Sequence, residues 1–334
     1  MKILGIETSC DETAVAIVED GRHVIQNVIY SQVQAHQKYG GVMPELASRM
    51  HTEKIHQLLQ KCMLESQLNW SDIDACAVTT GPGLEGALLI GIATAKTIAT
   101  LQNIPLLPVN HLQGHLYATF IETKQTPTPP PFPYIGLIAS GGHTELVKCH
   151  SHTQIESLGR TRDDAIGEAF DKVARSLDLG YPGGPEIEKL AASGSPNSYP
   201  FTIGLKSSPY EFSFSGLKTA VVQTRKKHPN ASPEDICASF QKTAIETLLK
   251  KTLAACHNHQ CHTLVLSGGV IANQALCTTF KETCQKENIQ LFYPPRNYCT
   301  DNAAMIATAA YHQYHPDIKE SRSCHVDPKK RVDT

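Results

Sequence analysis

The sequence predicts a duplicated α/β protein, with two α/β lobes in tandem around a ligand cleft. Three observations predict it. An apolar strand, a small polar turn and a second apolar strand open the chain at residues 3–15 and return at residues 134–147. Between the two copies lies Thr126-Pro127-Thr128-Pro129-Pro130-Pro131-Phe132-Pro133, which suits neither a helix nor a central strand and reads as a stiff extended connector. At 334 residues the chain also exceeds the usual size of one domain. The expected boundaries are 1–124 for the first lobe, 125–133 for the connector, 134–320 for the second lobe and 321–334 for a basic tail.

The first lobe begins with three apolar-polar alternating segments separated by turn residues at 10–12 and 20–21, a three-stranded antiparallel meander. A helix follows over residues 44–67, with Leu46, Met50, Ile55, Leu58, Leu59 and Met63 on one side and Pro44 in its first turn. Next come a strand at 75–79, the turn GPGLEG, a helix at 87–100, a strand at 106–109 and a helix carrying His111 and His115, a βαβα order. After the returned strand pair, helices are expected at 166–177, 185–192, 217–226 and 233–256. A buried strand at 263–266, a helix at 273–286, a strand at 290–293 and a last helix at 302–311 complete the chain.

Composition narrows the function classes. With 41% hydrophobic and 19% charged residues the chain is of ordinary globular type, which excludes disorder, coiled coil and collagen. A formal net charge of −2 argues against binding nucleic acid through bulk charge, so an RNA partner needs a local patch or a helper protein. Arg225-Lys226-Lys227 and Lys329-Lys330-Arg331 are candidates for such patches, although a helix end and a solvated terminus are their commoner explanation and the one favoured for each alone. The first residues lack the apolar run of a signal peptide, and residues 86–101, interrupted by Lys96, are too short and polar to span a bilayer. A cytoplasmic location without membrane attachment is expected. Eleven cysteines with no CxxC pair read as reduced, buried thiols.

Several short patterns carry chemistry. Thr8-Ser9-Cys10 and Ser140-Gly141-Gly142 occupy equivalent turns of the repeat, where backbone N–H groups can face phosphate oxygens; tight hairpins use the same residues. Ser267-Gly268-Gly269, closing a buried strand and leading to Asn273, offers bare backbone to a nucleoside, or only the steric freedom of a strand-to-helix turn. Tyr181-Pro182-Gly183-Gly184 with Asp171 and Glu188 can present carboxylates to ribose hydroxyls, or be a surface turn. His111 and His115, four apart, share one face of a helix and can share a metal, though a chain with 16 histidines offers such pairs by chance. A zinc protease motif has a glutamate directly after the first histidine; here that residue is Leu112, so peptidase chemistry lacks its base. Asp301, at the expected N-cap of the last helix, is the candidate third ligand, with plain capping as its bland alternative.

Ten blocks in order resemble the TsaD family of tRNA threonylcarbamoyladenosine transferases. They are GIETSCDET at 5–13, GGVMPELASR at 40–49, GPGLEGALLIG at 81–91, NHLQGH at 110–115, SGGHTEL at 140–146, DDAIGEAFDKVAR at 163–175, YPGG at 181–184, FSFSGLKTA at 212–220, SGGVIAN at 267–273 and CTDNAAMIA at 299–307. Gln113 departs from the glutamate many relatives carry there.

The resemblance implies an actin-like ATPase fold of the Hsp70 and sugar-kinase type. It also implies one divalent metal per subunit on His111, His115 and Asp301, with Fe(2+) expected and Zn(2+) equally suited to these donors. The implied substrate-binding set is Ile138, Ala139, Ser140, Gly141, Gly142, Asp171, Gly184, Glu188 and Asn273. The implied reaction carries threonylcarbamoyl from threonylcarbamoyl-AMP to N6 of the adenosine 3′ of the anticodon in tRNAs reading codons that begin with A, without a protein nucleophile. A TsaB-like paralogue and a TsaE-like ATPase are the implied partners. The alternatives are an actin-like small-molecule kinase, which has no use for the paired histidines, and a nucleotide-switched binding module. The peptidase activity once attached to the family is disfavoured by Leu112.

Overall fold

In the computed structural model, residues 1–313 and 324–334 are described. The end of the expected second lobe and the start of the expected basic tail, residues 314–323, lie outside the described residues. The chain divides into two compact units, each built on a five-stranded sheet.

The first unit grows from the opening meander: β1 (Lys2–Glu7), β2 (Glu12–Glu19) and β3 (His23–Ser31) pair antiparallel, and β4 (Ala75–Gly81) and β5 (Leu106–Asn110) extend the sheet parallel to β1. The order is β3-β2-β1-β4-β5. Every residue of β4 is buried, as its unbroken run of small and apolar residues requires of a strand covered on both faces. The short α1 (Val33–Gln37) follows β3, while α2 (Pro44–Ser66) and α3 (Glu85–Gln102) supply Ile55, Leu58, Leu59, Ile92 and Ile98 to a core shared with Leu4, Ile6, Val15 and Ile17. β5 leads directly into α4 (His111–Tyr117).

The second unit repeats this plan. β6 (Tyr134–Ala139), β7 (Thr144–Cys149) and β8 (Ile155–Arg160) form an antiparallel meander, followed by α5 (Ile166–Ser176), α6 (Gly183–Ala191), α7 (Ser215–Lys227) and α8 (Pro233–Asn258). β9 (Thr263–Ser267) pairs parallel with β6, and after α9 (Gln274–Lys286) β10 (Gln290–Phe292) pairs parallel with β9. The order β8-β7-β6-β9-β10 matches that of the first sheet strand for strand. The duplication expected from the returning strand pair is therefore present in the topology.

The last helix, α10 (Ala303–Gln313), belongs to the first unit. This differs from the expected 134–320 boundary. The second compact unit ends at Phe292, because the small, buried residues of α10 cover the first sheet rather than the second. Gly5 of β1 permits the contact: a Cβ there would stand 2.4 Å from the Ala303 carbonyl oxygen. Two elements, α1 and β8, were not expected; α1 spans a single turn or so, and β8 is half-exposed without clear alternation. The C-terminal residues also depart from the expected solvated terminus, since Cys324 and Val332 are buried in the first unit. All eleven cysteines are free. Among the described residues no helix is long and apolar enough to cross a membrane.

Candidate metal centre and nucleotide-binding turns

In the first unit the three parallel strands β1, β4 and β5 end together, at Glu7, Gly81 and Asn110. The carboxyl edge of parallel strands is where open α/β sheets place their ligands. Asn110 caps α4, its Oδ1 accepting the Leu112 N–H at 2.9 Å, so the helix starts with His111 at the strand's end. Gly114 lets α4 close on α10, for a Cβ there would meet Ile306 Cδ1 at 2.7 Å. That approach brings both histidines to the residue two places ahead of α10.

The residue is Asp301, and it is not the helix cap. Asn302 takes that role, its Oδ1 accepting the Met305 N–H at 2.9 Å, which corrects the N-cap position expected for Asp301. The Asp301 carboxylate instead faces the histidines, with Oδ1 3.2 Å from His115 Nε2 and 3.6 Å from His111 Nε2. One ligand atom from each of the three residues lies within 4.8 Å of the others. Two donors bound at about 2.1 Å to one ion stand about 3.0–3.5 Å apart, a range that the 3.2 Å spacing of His115 to Asp301 meets and the 3.6 Å spacing of His111 to Asp301 approaches. His115 supports the same fit: the ring is fully buried, yet neither nitrogen has a hydrogen-bond partner, the approach to Asp301 lying outside hydrogen-bonding geometry. A buried imidazole without partners is costly unless something else coordinates it.

Glu7, fully buried at the end of β1, holds the other side of His111. Its Oε2 is 3.1 Å from His111 Nδ1 and accepts the Thr79 hydroxyl at 2.5 Å, while Oε1 accepts the Ser9 N–H at 2.5 Å. This contact assigns the proton to Nδ1 and leaves Nε2 toward Asp301, the carboxylate-histidine arrangement that orients metal ligands. Burial opposes charge on His111, but Asp301 and Glu7 outweigh it and raise the imidazole to about 9. The carboxylates that hold a proton there equally favour a cation. Glu7 itself is lowered despite its burial, chiefly by His111. Around the cluster, burial together with Asp11 and Asp301 pushes the Glu12 carboxyl and the Cys10 thiol well up, a mark of strong local negative potential. Leu112 is fully buried, so α4 offers no carboxylate base in the position a zinc protease requires.

The first nucleotide-turn candidate, Thr8-Ser9-Cys10, is absorbed into this centre. Ser9 Oγ lies 3.2 Å from His111 Nδ1, and the Thr8 hydroxyl donates to the Ala87 carbonyl at 2.9 Å.

The second unit holds the remaining predicted residues, on β6 and the turn after it, in α5 and α6, and at the start of α9. Ile138 and Ala139 are buried in β6, and Ser140 accepts the Gly167 N–H at the start of α5 through its carbonyl at 3.2 Å. Gly141 and Gly142 stand in open space, with nothing within 4 Å of a Cβ placed on either. Gly142 lines a cavity of about 580 Å³ with His143, Thr144, Arg160 and Arg162 among its walls. Gly184 is likewise open, while the neighbouring Gly183 donates its N–H to Asp171 Oδ1 at 2.7 Å. Glu188 accepts the Gln274 N–H at 2.5 Å, and Asn273 caps α9 through Leu276 N at 2.9 Å while donating to Gln241 at 2.8 Å. Gly268 has a structural reason of its own, with φ of +96° and only 2.4 Å between a Cβ and the Ala139 carbonyl oxygen.

Glu7 and Asn110 escaped the sequence reading as site residues. The available signal for Glu7 was a lone carboxylate closing an otherwise apolar strand, Ile3-Leu4-Gly5-Ile6-Glu7. A buried charge of that kind demands partners.

The fold and the site define a class: an actin-like ATPase fold whose first lobe carries a His-His-Asp group, its two histidines buried, with the donor set to hold a divalent metal. Solved structures share the fold. HypF of T. kodakarensis matches with a TM-score of 0.60 at 14% identity over 92% of this chain and 46% of its own. Component A of the (R)-2-hydroxyglutaryl-CoA dehydratase of Acidaminococcus fermentans matches with a TM-score of 0.56 at 13% identity over 93% and 98%. Residues 23–308 match the sequence model of TsaD, tRNA N6-adenosine threonylcarbamoyltransferase. Proteins of that name from Bacillus cereus and Staphylococcus haemolyticus are 47% and 46% identical to the chain, over 98% and 95% of it and 95% and 92% of their own lengths. The chain belongs to the TsaD family.

Proposed function

We propose that this protein transfers the threonylcarbamoyl group from threonylcarbamoyl-AMP to N6 of the adenosine 3′ of the anticodon in tRNAs that read codons beginning with A. The observation that carries the reading, beside family membership, is the cluster of the buried His111 and His115 with the half-buried Asp301 at the carboxyl edge of the first sheet. The reaction forms a bond from N6 to the carbamoyl carbon, breaks the bond from that carbon to the AMP phosphate oxygen, and releases AMP and the N6 proton. Its leaving group is already good, so orientation and stabilisation of the developing oxyanion matter more than a protein nucleophile.

His111, His115 and Asp301 hold the metal, for which iron is favoured and zinc is the alternative these donors allow. When bound, a divalent ion with three protein ligands supplies Lewis acidity at its open positions. Glu7 keeps the His111 Nδ1 proton in place and so keeps Nε2 available as a ligand atom. In the second unit the open Ser140-Gly141-Gly142 turn offers backbone N–H groups to the AMP phosphate. Asp171, Gly184, Glu188 and Asn273 bind its nucleoside part. The near-neutral overall charge makes tRNA capture dependent on helper proteins, for which a TsaB-like paralogue and a TsaE-like ATPase are proposed.

The test is nucleoside mass spectrometry of unmodified tRNA incubated with the protein, those partners and threonylcarbamoyl-AMP. Modified adenosine from the wild type and none from His111→Ala is the expected result. Equal product from both would remove the metal cluster from the reaction.

A further inference from the structure

The basic C-terminal segment, from Cys324 to Thr334, has no regular secondary structure but is bound along its length to the edge of the metal centre. Cys324 lies in the core of the first unit with Leu106 and Cys76, and Val332 is fully buried. Between these two anchors the Asp327 N–H donates to the Thr80 carbonyl at 2.8 Å, and Lys330 Nζ donates to the Thr80 hydroxyl at 3.2 Å. Gly81 leaves the room this requires: a Cβ there would stand 1.8 Å from the Asp327 carbonyl oxygen.

The last contacts reach α4 itself. Asn110 Nδ2 donates to the Arg331 carbonyl at 2.5 Å while its Oδ1 caps the helix. Gln113, between the two histidines in sequence, donates through Nε2 to the Val332 carbonyl at 2.8 Å and accepts through Oε1 from Gln313 Nε2 at 2.8 Å. One amide thus joins the C-terminal segment, the helix of His111 and His115, and the end of α10, the helix that follows Asp301. A side-chain amide can donate to one and accept from the other, which an ionised carboxylate cannot.

We propose that the C-terminal segment is a positioning strap for the metal helix, and that Asn110 and Gln113 are its positioning residues. The inference rests on the metal reading of His111, His115 and Asp301. Without the strap, α4 keeps its cap and its contact with α10 but loses the link that the segment makes between it and the end of β4. The two imidazoles then hold their spacing to Asp301 less tightly.

The test uses the whole chain, a variant ending at Val326, Gln113→Met and His115→Ala, each titrated with Co(II) alone and followed by the visible spectrum and by thermal melting. Gln113→Met keeps the length and burial of the side chain and removes only its hydrogen bonds. His115→Ala is expected to lose cobalt binding. The shortened chain and Gln113→Met are expected to bind cobalt 10–100-fold more weakly, the range for loss of a group that orients metal ligands, with a changed absorption envelope at temperatures where both remain folded. If His115→Ala loses cobalt while Gln113→Met binds it with the wild-type affinity and spectrum, the strap is overturned and the metal reading stands. If His115→Ala binds like the wild type, the metal reading falls and the strap falls with it. Should the shortened chain fail to fold, Gln113→Met decides the matter alone.

Discussion

Replacing Glu7 with glutamine changes one oxygen for an NH2 group in a fully buried position, and the contacts of Glu7 fix what must follow. Its two oxygens receive three donors: the Ser9 N–H on Oε1, and the Thr79 hydroxyl with His111 Nδ1 on Oε2. An amide has one oxygen. Turned so that the oxygen replaces Oε1, its NH2 faces His111 Nδ1 and drives the ring to the tautomer with hydrogen on Nε2, the atom that faces Asp301. Turned the other way, NH2 faces the Ser9 N–H, two donors in contact. Either orientation leaves a buried donor without an acceptor, which costs about 1–3 kcal/mol.

The first orientation also removes a metal ligand atom, and loss of such an orienting carboxylate typically lowers metal affinity about 10–100-fold, or about 1.4–2.7 kcal/mol. Glu7→Gln should therefore bind a divalent metal at least tenfold more weakly and unfold at lower urea concentration than the wild type. Titration with Co(II) and urea denaturation followed by circular dichroism read the two effects separately. A variant with wild-type affinity and wild-type urea midpoint would refute the assignment of Glu7 as the group that orients His111.

Three further outcomes are expected. Gly141→Ala adds a methyl where nothing lies within 4 Å, so stability should hold within about 0.5 kcal/mol while KM for threonylcarbamoyl-AMP rises; an unchanged KM would separate this turn from the donor. Gly5→Ala forces a Cβ to 2.4 Å from the Ala303 carbonyl oxygen, and the urea midpoint should reveal about 1–3 kcal/mol of destabilisation as α10 is displaced. His312, packed against Tyr117, Phe120 and His152, is lowered to about 4 by burial, with His152 and Arg22 adding to the shift. Because the fold holds it neutral and the unfolded chain protonates it near 6.5, its contribution is complete above pH 6.5 and is lost as pH falls toward 4. The slope from this one proton is at most about 1.4 kcal/mol per pH unit. His312→Phe should flatten the urea midpoint against pH across that window, and an unchanged slope would locate the dependence elsewhere.

Much of this was legible in the chain because the repeat obeys local rules. The first meander and the strand pair that opens the second follow from the sequence pattern, the long helices from apolar spacing, and the histidine pair from its four-residue step. What was not legible depends on contacts distant in sequence. α10 follows the second sheet in the chain yet completes the first, packed close against Gly5 and Gly114, which are distant from it in sequence. The C-terminal residues read as solvated because they are basic, whereas Cys324 and Val332 anchor them in the first unit. Asp301, expected as the third metal ligand, was also expected to stand at the helix N-cap, because Asp caps helices well. Asn302 beside it caps equally well, and which of two neighbours turns to the helix is decided by where the histidines stand.

The two lobes also show how one plan acquires two chemistries. In register with their parallel neighbours, Gly5 pairs with Ala77 and Gly136 with Val265, so the residues two places on, Glu7 and Ile138, occupy equivalent positions. A carboxylate buried at the strand end cannot stand alone, and in the first unit it gathers a serine N–H, a threonine hydroxyl and a histidine. Isoleucine at the same place asks for nothing polar. The turn after it is left as Ser140 and two glycines whose approach is open. A single strand-end position therefore separates a lobe that fixes charged side chains from a lobe that offers bare backbone. A transfer reaction that must both polarise a carbamoyl group and hold a nucleotide has use for both. Exchanging the characters of the two positions would remove each without restoring the other, because the partners of Glu7 lie on β4 and α4, which a change on β6 cannot supply.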